Sequence, residues 1–300
     1  MANVAVATPR SGLSQAEVAA RHGLSVAGAR PPLFKYLRHL FGYRHFITAY
    51  ANAGITASFN HARLGRLWQV LTPLSNAAVY YLIFGLILDT KRDIPNFIAY
   101  LCTGVFVFGF SSQVALQGVQ SITKNLNMIR ALHFPRASMP LASTYTQFLN
   151  LLAAFVVLIS IVLITGEPVT LRWLMVIPAV FLQLLFNVGL GLTMARIGSK
   201  VTDLKQLLPF ITRTWMYISG VLYSVNTFDE HLHPAVLADI AKSNPLVVYI
   251  DLVRYGLLQS DPKLIFSERH TWGLAIGWAV VSLVGGFIYF WRAEEEYGRG

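Results

Sequence analysis

The sequence predicts an all-α polytopic membrane protein with six transmembrane helices, and three observations predict it. The first is six long stretches almost free of charge: Trp68–Leu88, Ile94–Thr123, Ala137–Gly166, Trp173–Ala195, Leu207–Phe228 and Thr271–Trp291, with Arg213 the one charged residue inside them. A bilayer core asks for roughly 20 apolar residues in helical form, and each stretch is long enough. The second is composition. A mean hydropathy of +0.53 with 13% charged residues excludes a disordered chain. The third is the lack of a polar stripe at every third or fourth position, which a soluble helix would carry.

Residues 1–32 form a polar cytoplasmic extension in which Ser14-Gln15-Ala16-Glu17 matches a capping box, and no apolar signal-peptide core is visible there. Residues 33–67 follow as an amphipathic segment. Leu33, Tyr36, Leu37, Leu40, Phe41 and Ile47 share one face, and Lys35, Arg38, His39 and His45 the other, so this segment should lie in the cytoplasmic interface. The transmembrane region runs over 68–292 and a cytoplasmic tail over 293–300. Between the fifth and sixth spans, Asn244-Pro245 is a helix start. Leu246, Tyr249, Ile250, Val253 and Leu257 then keep helical spacing over a segment too short to span, which predicts a re-entrant external helix at Pro245–Leu258, with a shorter one before it at Pro234–Lys242. Asp251 and Arg254, three apart, are expected to pair. Trp68, Tyr80, Tyr81, Trp173, Trp272, Tyr289 and Trp291 fall where aromatic belts belong, and Gly273 and Gly277 offer a small-residue packing pair in the last span.

The chain has 24 Lys and Arg; sixteen fall on the side of both termini, seven on the other, and Arg213 within a span. The positive-inside rule then places both termini in the cytoplasm, and the basic excess is an orientation signal, so no nucleic-acid partner is expected. Cys102 stands alone in an apolar run, a packing residue.

A search for chemistry returns absences. No phosphate-binding Gly-rich loop ending in Gly-Lys-Ser/Thr occurs, no zinc spacing, and no hydrolase elbow. The His231/His233 pair lies in an external loop and is weak as a metal site, and Asp203 is the one acid in the internal loops. No catalytic constellation and no metal site are expected, which favours a conduit over a membrane-embedded glycosyltransferase. Two internal loops are better organised than simple turns: Lys124 to Phe134 has helical spacing closed by Pro135, and Lys200 to Lys205 leads into the fifth span.

Short motifs in a fixed order then resemble a known family. Arg63-Leu64-Gly65-Arg66-Leu67-Trp68 with Pro73, Ile94-Pro95-Asn96-Phe97 with Gly104, Lys124 to Arg136 with Met139-Pro140-Leu141, and Asn244-Pro245 with Arg254 are together similar to ABC-2-type exporter permeases over residues 33–292. Within that family the likeness is to the Wzm type, which exports O-antigen, teichoic acid or cell-wall galactan on a lipid carrier. The 1–32 extension resembles actinobacterial members, so galactan is the narrowest substrate implied. A drug or small-lipid exporter of the same family is the alternative. Val201-Thr202 stands where the family often has an aromatic-Arg pair before Asp203.

The resemblance implies a homodimer working with two copies of a separate Wzt-like ATPase subunit, which would hold ATP and Mg; this chain would carry no cofactor. Lys124, Asn125, Met128, Arg130, His133, Phe134, Pro135, Arg136 and Asp203 would contact that ATPase. Arg38, Arg44, Arg63 and Arg66 would meet the diphosphate of a polyprenyl-diphosphate-linked glycan at the membrane lipid surface, because guanidinium forks suit phosphate oxygens. Phe106, Phe110, Trp215, Tyr217 and Tyr223, with Phe108, would offer aromatic faces to the glycan, and Arg213 would add a charge inside a span.

Overall fold

The computed structural model describes residues 31–59, 65–87, 94–132, 134–224, 235–260 and 264–297. The expectations for residues 1–30, Arg63, His133 and the His231/His233 pair lie outside the described residues, as does the Arg66 side chain.

Every regular element among the described residues is helical. Behind Pro31-Pro32, α1 (Leu33–Gly42) buries Tyr36 and Leu40 while Phe34 and Phe41 stay 81% and 70% exposed. That outward apolar row is what an interfacial helix presents to lipid. The chain breaks at Tyr43 and continues as α2 (Arg44–Phe59). After a short turn, α3 (Trp68–Tyr80) contains Pro73 and passes into a π-helix over Tyr81–Ile87. Asn96 opens α4 (Phe97–Gln120) by accepting the Ala99 amide at 3.3 Å. A tight turn at Thr123–Asn125 and the short α5 (Leu126–Ala131) lead to Pro135 and then α6 (Ser138–Ile164), with Gly166 at φ +86° just beyond its end. Next come α7 (Val176–Lys200), α8 (Leu204–Ile218), α9 (Ala235–Lys242), α10 (Pro245–Leu257) and α11 (Glu268–Trp291).

Four described helices are long and apolar enough to cross a membrane: α4, α6, Leu171–Lys200 and α11. In α4 72% of the apolar window is buried, against 22% in α6 and α11, so α4 is the central helix. The other two predicted spans are not single long α-helices among the described residues. The first is divided between α3 and its π-helical continuation. The fifth stops after the 15 residues of α8, because Gly220 takes φ +59° and the freed carbonyls turn to Arg254. Arg254, 6% exposed, donates from Nη1 to Gly220 O and from Nη2 to Val221 O, both at 2.9 Å. It also donates to Tyr100 O and lies 3.3 Å over the Tyr100 ring. A side chain at Gly104 would put a Cβ 2.6 Å from Arg254 Nη2, so that position needs glycine. Asp251 Oδ2 accepts the Ile265 amide at 3.0 Å.

The helix pair predicted before the last span is present as α9 and α10. Asn244 caps α10 by accepting the Leu246 amide at 3.1 Å, and α10 is buried on nearly every side. Its all-round apolar face is why it packs inside the bundle.

Close packing uses glycines other than the predicted pair. Nothing lies within 4 Å of a Cβ built at Gly273 or Gly277. The last helix crosses α7 further along, where a Cβ at Gly189 would collide with the Ser282 carbonyl and one at Gly286 with the Gly189 carbonyl. A Cβ at Gly198 would strike the Val119 backbone, and one at Gly118 would sit 3.0 Å from Gly191 O. Without a hydrophobic drive between helices in lipid, such backbone approach supplies the cohesion. Gln183 adds hydrogen bonds from α7 to α4, donating to Val107 O (2.8 Å) and Ser111 Oγ (3.1 Å).

Candidate functional site

On the side of α4 away from this seam, the sequence places Gln113, Gln117 and Gln120 at intervals of four and three, one helical face. On α6 Ser143, Thr146, Gln147 and Asn150 follow the same rule. The two helices are joined by the loop at 121–137, and their polar faces border two cavities. One, of about 370 Å³, lies against α3 and is lined by Trp68, Thr72, Asn76, Phe106, Phe110 and Gln113, among others. The second, of about 460 Å³, lies against α2 at the end bearing the basic loops (the basic end) and is lined by Tyr50, Gln117, Gln120, Lys124, Ser143 and Thr146, among others. Gln147 and Asn150 border both, so the cavities form one groove. Asn150 Nδ2 donates to Gln147 Oε1 at 3.1 Å.

The expectation that the long apolar stretches carry no polar stripe is therefore corrected. The stripe is made of neutral amides and hydroxyls, which a charge count does not register. Such groups both donate and accept, and they cost far less to place among apolar helices than ions do. Among the described residues lining the two cavities, Lys124 is the one charged side chain. The arrangement offers a row of hydrogen-bonding partners beside aromatic faces, a surface suited to sugar hydroxyls and C–H faces.

The two ends of α6 are fastened by two buried carboxylates that sequence reasoning missed. At the basic end Glu294 accepts from Tyr36 Oη (2.9 Å) and from the Arg136 amide (3.0 Å), and Arg136 Nη1 donates to the Glu294 carbonyl. The Ala137 amide donates to Tyr36 Oη at 3.2 Å. Burial pushes the Glu294 carboxyl above the usual carboxylate range, against the lowering effect of these hydrogen bonds and of the Arg136 charge. Beside it Arg196 bridges to Glu296 at 2.8 Å, and Tyr297 stacks on Phe290 at 4.5 Å. At the opposite end Glu167 accepts from Asn96 Nδ2 (2.9 Å), Gln259 N (2.7 Å), Ser260 N (3.2 Å) and Ser260 Oγ. Burial works to raise the Glu167 pKa, but these hydrogen bonds outweigh it and hold the carboxyl below its ordinary value.

The predicted site residues fall into distinct places. Lys124 lines the groove at the basic end. Asn125 accepts from Tyr50 Oη at 2.6 Å and donates to Ser121 O at 2.7 Å, which joins the loop to α2. Phe134 lies 5.3 Å from the Phe46 ring, Pro135 is buried and Met128 is half-buried, while Arg130 and Asp203 are exposed. Arg136 is engaged by Glu294, as described. Arg38 and Arg44 are exposed on the outer face of α1 and α2, with Arg44 4.9 Å over the Phe41 ring. Of the predicted aromatic surfaces Phe106 and Phe110 line the groove. Phe108 and Trp215 pack edge to face at 6.3 Å, and Trp215 donates to Asn244 Oδ1 at 3.1 Å. Tyr223 donates to Tyr217 O at 2.6 Å, and both Tyr217 and Arg213 are exposed on α8.

The family model described as ABC-2 type transporter matches residues 46–258. The chain is similar to the O-antigen export system permease protein RfbA of Klebsiella pneumoniae, 26% identical over 230 residues that cover 75% of this chain and 85% of the relative. It is similar to the polysialic acid transport protein KpsM of Escherichia coli, 23% identical over 243 residues, 81% of this chain and 90% of the relative. The capsule polysaccharide export inner-membrane protein CtrC of Neisseria meningitidis serogroup B is 21% identical over 245 residues, 81% of this chain and 89% of the relative.

Proposed function

This chain belongs to the ABC-2 type transporter family, and from that premise we propose that it is the permease subunit of an ABC exporter for a lipid-linked polysaccharide. The relatives named for O-antigen, polysialic acid and capsule polysaccharide export support that substrate class. The observation in the chain itself that carries the reading is the amide and hydroxyl row from Gln113 to Gln120 and from Ser143 to Asn150. An exporter of apolar drugs or small lipids gains nothing from that row in an otherwise apolar helix pair, and a polysaccharide needs it along its whole path.

In this reading the chain crosses the cytoplasmic membrane six times, α3 with its π-helical continuation and α8 completing the two short crossings, and α9–α10 re-enter from outside. The basic end and both termini face the cytoplasm. A second copy closes the open side of the groove. Two ATPase subunits, Wzt-like and carrying ATP and Mg, dock on the loop at 121–137, where Asn127 and Arg130 are exposed on α5 and Leu132 just beyond it, and on the loop at 200–205. Asn125 and Arg136 act there as positioning residues that tie the loop to α2 and to the tail. The closing of the ATPase pair is thereby passed to α4 and α6, which carry the groove. A cell-wall galactan is the narrowest substrate assigned.

Depletion of the protein in its host, followed by analysis of membrane lipid-linked glycans, tests the reading. Polyprenyl-diphosphate polymers are expected to accumulate on the cytoplasmic side. Loss of drug or small-lipid efflux with no such build-up would replace this assignment with the small-molecule exporter.

A further inference from the structure

The cavity at the basic end combines one cation with a ring of neutral hydrogen-bonding groups. Lys124 stands in the tight turn Thr123–Asn125 where α4 ends, its side chain exposed at the rim. Around it lie Gln117, Gln120, Ser143 and Thr146, with the Tyr50 ring as one wall, and no Asp or Glu is among the lining residues. The turn is held in place, because Asn125 is bonded to both Tyr50 and Ser121. The position of Lys124 is thus set by its neighbour, and its charge has no carboxylate beside it inside the cavity.

We propose that Lys124 is a phosphate-binding residue at the mouth of the groove: it receives the phosphate of a glycosyl phosphate while the amides and hydroxyls beside it receive the adjoining sugar. The proposal rests on the export reading above and moves the phosphate contact from Arg38 and Arg44 to the end of α4. Arg38 and Arg44 lie on the outer face of α1 and α2 and line neither cavity. A compact ammonium is suited to this task. It attracts phosphate oxygens as a point charge, without the fixed two-pronged geometry of arginine, so the group can arrive and leave as the polymer advances. A volume of about 460 Å³ accommodates a phosphate with its first sugar. Lys124 is also separated from the exposed α5 residues that serve ATPase docking, so one loop divides its work between a substrate face and a partner face.

The phosphate has two chemical sources: the diphosphate that joins lipid to glycan, or a phosphate carried within the glycan. The test uses the full-length chain in phosphatidylcholine nanodiscs, wild type, Lys124→Gln and Lys124→Arg, with geranylgeranyl diphosphate, geranylgeraniol and glucose 1-phosphate as probes. The diphosphate is expected to bind the wild type and the Arg variant and to bind Lys124→Gln at least about tenfold more weakly, the scale of one charge-assisted hydrogen bond. Geranylgeraniol binding and the melting temperature should be alike in all three, because the side chain is exposed. Competition by glucose 1-phosphate that depends on Lys124 assigns the site to a phosphate on the glycan; its absence assigns the site to the lipid diphosphate. Equal diphosphate binding by wild type and Lys124→Gln, an equal loss for the uncharged prenol, or no binding of either phosphate probe to the wild type overturns the proposal. The depletion experiment decides the export reading separately. Glycan accumulation together with charge-independent binding removes Lys124 and leaves export standing, and Lys124-dependent binding without accumulation does the reverse.

Discussion

On the side of α4 that meets α7, glycines and a buried glutamine bring backbones into contact, whereas on the side that meets α6 glutamines stand over open space. A Cβ at Gly198 would strike backbone and one at Gly118 would be held at 3.0 Å from it, and the same seam continues to α11 through Gly189 and Gly286. Toward α6 the helix presents Gln113, Gln117 and Gln120 to cavities shared with Gln147 and Asn150. One helix is therefore closely packed on one face and borders open cavities on another. A translocating protein needs both. The seam fixes the helix so that motion at its end loop is not lost in local deformation, and the open face must not pack, because packing would close the path.

The comparison breaks first at the seam. Gly189→Leu is expected to abolish monodisperse folded protein in detergent, a loss of more than about 3 kcal/mol, since the collision is with backbone that cannot yield. Gly277→Leu, at a position that faces open space, should leave size-exclusion profile and melting temperature unchanged. Normal folding of Gly189→Leu, or failure of both variants, would remove the distinction between a packed and an open face.

The next effect is smaller and lies at the two ends of α6, where the carboxylates should respond to pH in opposite senses. Glu167 has a depressed pKa, so its contribution is complete above the ordinary carboxylate value and is lost as pH falls through the depressed one. Glu294 has a raised pKa, so its contribution is complete below the ordinary value and is lost as pH rises through the raised one. Hydrogen exchange corrected for intrinsic rates should show Gln259 and Ser260 losing protection on acidification, and residues 293–297 losing it as pH rises above the carboxylate range. Glu167→Gln and Glu294→Gln should each flatten the response at their own end. A common direction at both ends would show that the two clusters do not act as read here.

The smallest effect on stability is expected in the groove. Replacing Gln113 and Gln117 together by Leu should change the melting temperature by no more than a degree or two, because both side chains border open cavities and removing a polar group together with its hydration is nearly neutral. Export of lipid-linked glycan by the same variant should fall several-fold, read as polymer reaching the cell surface in a depletion strain. Unchanged export would deny the groove a role in the path.

Much of the architecture was legible along the chain. Long uncharged stretches marked the bundle, Asn244-Pro245 marked the start of α10, and Pro135 marked the close of the loop after α4. Other features were hidden for identifiable reasons. Gly220 was a local signal for the end of α8, but the side chain that takes up its carbonyl, Arg254, is 34 residues away in sequence and could not be read from it. The polar stripe was present as Gln113, Gln117 and Gln120, but charge was counted and hydrogen-bonding capacity was not; neutral amides at helical spacing in an apolar span are the signal that finds it. Glu294 and Glu167 read as ordinary polar residues of a tail and a loop.

The sequence by itself determined the membrane class, the order of the helices, the basic end, and the family-like motifs, because each of these is set by transfer of side chains from water to lipid or by local backbone chemistry. Which glycines touch, which helix face borders open cavities, which carbonyls Arg254 takes up and what Lys124 faces were decided only when distant segments met. These are properties of pairs of surfaces, and a surface acquires its partner only in the folded bundle.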